Sequence, residues 1–300
     1  MIANPAVLAG IKMVVMDIDG TLITGPSDTL ENVTRQLRRL RFARIRFTVA
    51  TGRTLAGAHF VIERLLSVRM RMPSMIAYNG AVVAEPADRA VVRRVTIPAD
   101  VYQKIIDLSI ASGLSPLVYT CRQRLDAIPV ERVYAQRGLS RYPAIEFNCM
   151  PIEWIEDLHG IEGRDVASLL LYGPQELGHL LPALTEVSLD LNVTWSGGQF
   201  IEVAARDASK LNALRALAAR WKFRIEDVMA IGDNYNDLDM IRNVGFGVAV
   251  ANAPLEVKAA ADYTCEGRAA NGVVEALRLL LSAVRIQKLG APATGPGRES

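Results

Sequence analysis

Both ends of this chain alternate short apolar runs with amphipathic segments, and the stretch between them does not. Near the start, Ile11–Met16 is a continuous apolar run of the kind a strand buried on both faces requires. Leu30, Val33, Leu37 and Leu40 then recur at helical spacing, with Asp28 placed to cap that helix and Glu31 three residues on. A second strand is expected at Ile45–Ala50, a second helix at Leu55–Leu66 and a third strand at Met75–Tyr78. The last third repeats the theme. A helix over 209–221 carries Leu211, Leu214, Ala218 and Trp221 on one face, and strands follow at Val228–Ile231 and Phe246–Val250 with a helix between them. Strands that alternate with helices imply right-handed crossover units and a mainly parallel sheet. From Ala84 to Ala205 the pattern changes. Strands are expected at Val91–Ile97 and Val166–Tyr172, helices at Ala99–Ser112 and Pro174–Val187, and a hairpin pairs Asn192–Ser196 with Gln199–Val203 around Gly197–Gly198. The expected fold is therefore α/β, a mainly parallel sheet core interrupted by an inserted α+β domain. Its core takes residues 1–83 and 206–283, the insertion takes 84–205, and 284–300 form a disordered tail, Gly/Pro-rich after Leu289.

Bulk charge narrows the function classes. Lys plus Arg number 34 and Asp plus Glu 32, a net charge of +2. That balance excludes a general nucleic-acid binder, which carries a strongly basic surface. The run Arg35, Arg38, Arg39, Arg41, Arg44, Arg46 and Arg53 contains no acid, and reads as a solvated helix face plus one arginine beside a turn. No stretch approaches about 18 uninterrupted apolar residues, so no membrane partner is expected. The apolar N-terminus lacks a basic leading segment and runs straight into Asp17, as a first strand does and a signal peptide does not. Cys121, Cys149 and Cys265 are odd in number and scattered, which fits a reducing cytoplasm. His59, His159 and His179 share no metal-ligand spacing. Nothing in the sequence reads out an oligomeric state.

The chemistry is concentrated at the ends of the expected parallel strands. Asp17-Ile-Asp19-Gly-Thr21 follows the first strand directly, and two acids at i and i+2 of an extended segment point to one side. They emerge at the carboxyl end of a parallel strand, where open α/β sheets bind ligands. Acids this close repel unless a cation or shared proton compensates, and a carboxylate and carbonyl site suits Mg²⁺. Thr51-Gly52-Arg53 follows the second strand and brings a hydroxyl and backbone N–H groups to the same edge. Gly232-Asp233-Asn-Tyr-Asn236-Asp237 follows the strand at 228–231, and Asp233 and Asp237, four apart, are expected to share a helical face. Lys210 is one of only six lysines and opens a helix. A cation there opposes the helix dipole unless an anion binds the helix start. Asn79-Gly80 after the third strand is a further candidate turn facing the ligand.

Taken in order, the DIDGT segment, Thr51, Lys210 at a helix start and GDNYND resemble the haloacid dehalogenase superfamily of phosphohydrolases over most of residues 11–283. The insertion is similar to the α/β cap, type C2B, of the Cof-type sugar-phosphatase branch. Two positions depart from that pattern: Leu211 stands where glycine is common, and Asn271 where an acid is common.

The resemblance implies a Rossmann-like core and a Mg²⁺ cofactor. Asp17 would be the nucleophile that forms an aspartyl-phosphate. Asp19 would protonate the leaving alcohol and then activate water. Asp17, the Asp19 carbonyl and Asp233 would hold the metal, with Asp237 either at the metal or behind its ligands. Thr51, Gly52, Lys210 and Asn236 would bind phosphoryl oxygens, Asn79 would face the substrate, and the cap would select the leaving group. The partner is a small phosphorylated metabolite, a sugar or polyol phosphate. A phosphomutase, which would need a bisphosphate, and a non-catalytic phosphometabolite binder are the competing readings. In the insertion Tyr119, Arg122, Arg124 and Trp195 are candidates to line the substrate.

Overall fold

The computed structural model describes residues 5–25, 30–66, 70–85, 90–124, 127–139, 150–161, 165–173, 177–195 and 199–290. In chain order the strands are β1 (Met13–Met16), β2 (Arg46–Ala50), β3 (Met75–Ala77), β4 (Val82–Ala84), β5 (Val91–Arg94), β6 (Ser115–Arg124), β7 (Ala127–Gln136), β8 (Ile152–Ile155), β9 (Val166–Tyr172), β10 (Leu191–Trp195), β11 (Phe200–Ala205), β12 (Val228–Gly232), β13 (Phe246–Ala249) and β14 (Tyr263–Thr264). The helices are α1 (Pro5–Ala9), α2 (Glu31–Ala43), α3 (Leu55–Leu65), α4 (Ala99–Ala111), α5 (Leu181–Val187), α6 (Lys210–Arg220), α7 (Leu238–Asn243), α8 (Leu255–Ala260) and α9 (Ala269–Gly290). The chain divides into two compact units, residues 1–47 with 223–300 and residues 48–222, and the division falls inside β2.

In the first unit β1, β12, β13 and β14 pair side by side and all run parallel. All four residues of β1 and all five of β12 are buried, which is why both read as unbroken apolar runs. Helix α9 packs on α1 and α2, and Leu37, Leu40, Leu277 and Leu280 are fully buried. Each such leucine contributes about 1.5–3 kcal/mol. The arginines at 35, 38, 39, 41, 44 and 46 are exposed, the solvated face expected for that run. Parallel pairing has one consequence for function. The residues following β1, β12 and β13 all leave the sheet at the same edge.

The second unit holds two strand arrays. β2 pairs with β3 in parallel, and β4 and β5 follow antiparallel. A six-stranded sheet in the order β10-β11-β9-β6-β7-β8 is antiparallel except between β7 and β8. Its core forms on one face, where Val118, Leu169, Leu171, Ile201 and Val203 meet Val101, Tyr102, Ile105 and Ile106 of α4 and Leu184 of α5. Strand alternation sends Tyr119, Glu131 and Glu202 to the other face.

Several boundaries differ from expectation. The ten-residue strand β7 shows no clean alternation, because Glu131 and Arg132 put consecutive charges on opposite faces. β5 ends at Arg94 and not at Ile97. The expected tail is corrected over 284–290. Helix α9 continues to Gly290 although Arg285, Ile286, Gln287 and Leu289 are exposed, so local helix propensity and not burial sustains its last turns. Helix α2 starts after Leu30 without a side-chain cap, and Asp28 lies outside the described residues, as do Cys149, the Gly197–Gly198 turn and residues 291–300. Cys121 and Cys265 are buried free thiols, and burial pushes both pKa values up to about 12. Among the described residues no helix is long and apolar enough to cross a membrane.

Glu275 of α9 fixes the loop after β14. Its carboxylate accepts the Tyr263 hydroxyl at 2.7 Å and the N–H groups of Glu266 and Gly267 at 3.1 and 2.9 Å. Partial burial pushes its pKa up, but the bonds from Tyr263, Gly267 and Glu266 outweigh burial, so the carboxyl sits below the ordinary range. A depressed folded pKa gives stability that is complete above the unfolded glutamate value and lost as pH falls through the folded one. The Tm difference between the parent and Glu275→Gln should therefore be largest above about pH 5 and shrink below about pH 4. A series of melting curves against pH measures it, and a gap that widens toward acid would contradict the assignment.

Candidate active site

One cluster of the sequence candidates, an acidic one, lies in the first unit. Asp17 follows β1 and keeps its N–H on the Ile231 carbonyl at 2.9 Å, so its backbone remains in register with β12. Its side chain is almost wholly buried, 4% exposed. The chain then turns tightly. Leu22 and Ile23 both donate to the Ile18 carbonyl at 2.8 and 2.9 Å, Gly20 donates to Ile23 at 2.7 Å, and buried Ile18 and Leu22 anchor the loop. Gly20 takes φ +83° beside Asp233, where a Cβ would stand 2.2 Å from a carboxylate oxygen. Only glycine meets both demands at low cost.

Asp233 follows β12 and is held from two sides. Its Oδ1 accepts the Thr21 hydroxyl at 2.7 Å, and its Oδ2 accepts the Asn252 amide at 3.2 Å. The same Asn252 nitrogen donates to the Gly20 carbonyl at 2.9 Å, and its oxygen accepts the Ala269 N–H at 2.8 Å. Asp237, fully buried, turns back so that Oδ2 accepts the N–H groups of Asp233 and Asn234 at 3.0 and 3.1 Å. It caps a single 3₁₀ turn, Tyr235–Asp237, which also carries half-buried Asn236. Oxygen atoms of Asp17, Asp233 and Asp237 lie within 4.8 Å of one another. Three carboxylates so close repel, and burial of two of them raises that cost until a cation offsets it. An all-oxygen donor set fits a hard ion such as Mg²⁺. The Asp19 side chain is exposed and stands outside this trio of carboxylates.

The second unit gathers the other sequence candidates at one corner. Thr51 is fully buried at the end of β2, and its hydroxyl accepts the Arg53 N–H at 3.1 Å. The Thr51 carbonyl accepts the Asn79 N–H, and the Arg53 carbonyl accepts the Tyr78 N–H, both at 2.9 Å. Tyr78, Asn79 and Gly80 all take positive φ, at 51°, 51° and 101°. For a tyrosine that conformation costs about 1–2 kcal/mol, which the flanking hydrogen bonds offset. Gly80 meets the start of α6 so closely that a Cβ would stand 2.1 Å from the Ser209 carbonyl oxygen. Ser209 caps that helix by accepting the Asn212 N–H at 3.1 Å, and Lys210, its first residue, is 2% exposed. Arg93 ties the corner by donating to the Gly80 and Asp207 carbonyls at 2.8 and 2.9 Å. Exposed Gly52 borders the Asn79 amide, which itself donates to Glu202 of β11.

Other sequence candidates fall elsewhere. Tyr119 is buried and meets Tyr78 edge-on, with ring centroids 6.2 Å apart. Arg122 is exposed with Asp165 3.7 Å away, and the side chains of Arg124 and Trp195 lie outside the described residues. His159 sits between Asp107 and Asp157, whose hydrogen bonds raise its pKa. Sequence reasoning missed Asn252, Tyr78, Glu131 and Glu202, and left Thr21 without a role. Asn252 was findable as a polar residue just past a buried parallel strand. The two glutamates were not, since they lie on strands of the insertion whose charges alternate with no motif.

A model of the haloacid dehalogenase-like hydrolases matches residues 14–277. The chain belongs to that family, and by this membership it is an enzyme, a hydrolase acting on phosphate esters. It is 28% identical to a 5-amino-6-(5-phospho-D-ribitylamino)uracil phosphatase of Bacillus subtilis, over 89% of this chain and 95% of that one. A solved haloacid dehalogenase-like hydrolase from Bacteroides thetaiotaomicron superposes with a TM-score of 0.73 at 27% identity, covering 89% of this chain and 98% of the other. A solved sugar phosphatase of subclass IIB, 18% identical with a TM-score of 0.69 over 93% and 99% of the two chains, is alike in fold.

The Gly20–Asp233 contact supplies a direct test of the acidic trio. Gly20→Ala should displace the Asp233 carboxylate and raise the Mg²⁺ concentration for half-maximal activity by about 10-fold, the size of effect seen when a supporting group of a metal ligand is lost. A Mg²⁺ titration of turnover reads it, and an unchanged midpoint would separate Asp233 from the metal.

Proposed function

We infer that this protein is a Mg²⁺-dependent phosphatase of small phosphorylated metabolites, sugar or polyol phosphates, acting through an aspartyl-phosphate on Asp17. The observation that carries the reading is the trio Asp17, Asp233 and Asp237, gathered where parallel strands end with Asp17 and Asp237 buried and Asp233 half-buried. Carboxylates at such a density suit a site built to meet a cation and, through it, an anion. In this reading Mg²⁺ is held by Asp17, the backbone carbonyl of Asp19 and Asp233, with Asp237 beside them. When bound, the ion neutralises charge so that an anionic ester can approach an anionic nucleophile.

The protein groups then divide the work. An Asp17 oxygen attacks phosphorus in line with the ester oxygen, the P–O ester bond breaks, and Asp19 gives that oxygen a proton. Asp19, exposed and now ionised, takes a proton from water as the water oxygen attacks phosphorus. The bond to Asp17 breaks and inorganic phosphate leaves. Thr21 and Asn252 hold Asp233 still throughout, so its oxygens need no reorganisation during the reaction. Thr51, Gly52, Lys210 and Asn236 are assigned to the phosphoryl oxygens, and Asn79 to the substrate. A dry, buried lysine at the start of α6 suits that assignment, since its charge and the helix dipole both favour an anion there.

Residues 84–205 act in this reading as a cap over a core of 1–83 and 206–283. The cap excludes water and chooses the leaving group. The ribitylamino-uracil phosphate named for one relative and the sugar phosphates named for a fold neighbour support a polyol or sugar ester as substrate. Buried free thiols fit a reducing cytoplasm as the working compartment.

With Mg²⁺ present the enzyme should hydrolyse 4-nitrophenyl phosphate and the 5-phosphates of ribitol and ribose. EDTA should abolish turnover and added Mg²⁺ restore it. Asp17→Asn, which keeps shape and loses the nucleophile, should lower kcat by about 10³-fold or more. Turnover unchanged in that variant would overturn the mechanism, and a requirement for a sugar bisphosphate would point to a phosphomutase.

A further inference from the structure

Two carboxylates of the six-stranded sheet reach the corner that holds Thr51, and one of them does more there than the local structure requires. Glu131 lies on β7, on the sheet face turned away from α4 and α5. Its Oε1 accepts the Leu55 N–H at 2.7 Å and the Tyr78 hydroxyl, and its Oε2 accepts the Ala56 N–H at 2.8 Å. Leu55 and Ala56 open α3, whose first-turn N–H groups have no partner within the helix. The chain already supplies a local cap. Thr54 accepts the Gly57 N–H at 3.0 Å, as a threonine in that position ordinarily does. A carboxylate brought in from 75 or more residues away is not needed to start an eleven-residue helix.

The bonds around Glu131 form a closed circuit. Segment 51–56 is fastened on one side to Tyr78 and Asn79, through the Arg53 and Thr51 carbonyls. On the other side it is fastened to Glu131, through the Leu55 and Ala56 N–H groups. The Tyr78 hydroxyl on Glu131 joins the two sides. Tyr119 of β6 braces the Tyr78 ring edge-on. Burial pushes the Glu131 pKa up, and its three hydrogen bonds pull the other way. Burial, with the Glu131 charge beside it, drives the Tyr78 pKa well above its usual value, so the phenol remains a donor at any working pH. The left-handed backbone at Tyr78 also gains a reason, because it lets one residue donate its N–H to the loop and its hydroxyl to β7.

We propose that Glu131 is a positioning residue for the phosphate-binding loop: from β7 it grips the start of α3 and the Tyr78 hydroxyl together, so the six-stranded sheet sets the position of Thr51 and Gly52. This rests on the reading that Thr51 and Gly52 contact the phosphoryl group. The sheet assigned to choose the leaving group then also governs the subsite for the part of the substrate that every ester shares. A shift of β7 relative to α3 breaks the circuit at Glu131 or drags the loop with it.

Inorganic phosphate has no leaving group, so it reports on the loop alone. Its dissociation constant in the presence of Mg²⁺ is to be measured by calorimetry for the parent, Glu131→Gln, Glu131→Ala and Tyr78→Phe. Alongside it go kcat and KM for 4-nitrophenyl phosphate and ribitol 5-phosphate, and melting temperatures. Loss of one or more buried hydrogen bonds predicts phosphate binding weaker by about 3-fold in Tyr78→Phe and about 10-fold in Glu131→Ala, with the isosteric Glu131→Gln between them. kcat should fall by the same factor for both esters. If Glu131→Ala does not fold, Glu131→Gln and Tyr78→Phe decide. Phosphate binding within 2-fold of the parent in both of those variants would overturn the proposal, as would a defect confined to the KM of one ester. A parent that binds phosphate and hydrolyses neither ester overturns the phosphatase reading instead, and the ratio of binding constants still judges the tether.

Discussion

Mutual repulsion among Asp17, Asp233 and Asp237 is the constraint around which the first unit is organised. Three carboxylates within 4.8 Å, two of them almost wholly out of water, would normally drift apart or take up protons. Here separation is not open to them. Asp17 is pinned through its backbone to β12, Asp233 through both oxygens to Thr21 and Asn252, and Asp237 through the N–H groups it caps. The electrostatic cost is met in folding, by a buried parallel sheet whose apolar strands have no other way to pack. A cation bound among them would recover that cost, so affinity for such an ion would be built from strain that the sheet holds in place. Gly20 shows how little slack remains, since one methyl group there would collide with a carboxylate.

The second unit uses a different device. Where the first unit holds acids together against their charge, the second holds backbone in a conformation that only a dense set of hydrogen bonds can sustain. Tyr78, Asn79 and Gly80 are left-handed in succession, and each is fixed by a separate contact: Arg53 and Glu131 for Tyr78, Thr51 and Glu202 for Asn79, the Ser209 carbonyl beside Gly80. Strain at one point is therefore shared among the turn after β2, the start of α6 and two strands of the six-stranded sheet. Lys210 profits from this arrangement. Its side chain is buried at a helix start held by the Ser209 cap and by Gly80 packed against it, so little conformational freedom would be left to lose on binding an anion.

How far the chain could be read in advance follows from where its information is local. β1, β12 and β13 are buried on both faces, so each writes itself as an apolar run, and the polar residues just beyond each run mark the working edge of the sheet. Asp17 and Asp233 could be read as neighbours for that reason, whereas Thr51 follows the half-exposed β2 and Lys210 opens a helix. Asp237 was legible as an acid but not in its posture: helical spacing put it on a face with Asp233, whereas a 3₁₀ turn folds it back onto the Asp233 N–H. Asp19 was assigned a metal contact through its carbonyl only, and its exposed side chain stands outside the trio of carboxylates. The strand β7 was illegible because Glu131 and Arg132 stand in succession on opposite faces of the sheet. Such a pair satisfies neither a strand nor a helix template.

Glu131 shows why part of the second unit could not be read from the sequence. A motif residue acts where the chain itself delivers it, at a strand end or helix start, and its neighbours in sequence announce it. Glu131 acts on Leu55 and Ala56 from the far side of 75 residues, and its role exists only once β7 has been paired with β6 and laid against α3. Nothing beside it in the sequence distinguishes it from Glu153 or Glu156, which make exposed ion pairs with Arg132 and Arg137. The distinction is burial together with three donors that converge on one carboxylate. In the proposed role Glu131 holds a loop in place and itself carries no reacting atom. The acids are delivered by strand ends beside them in sequence, whereas this glutamate is delivered by a contact across 75 residues.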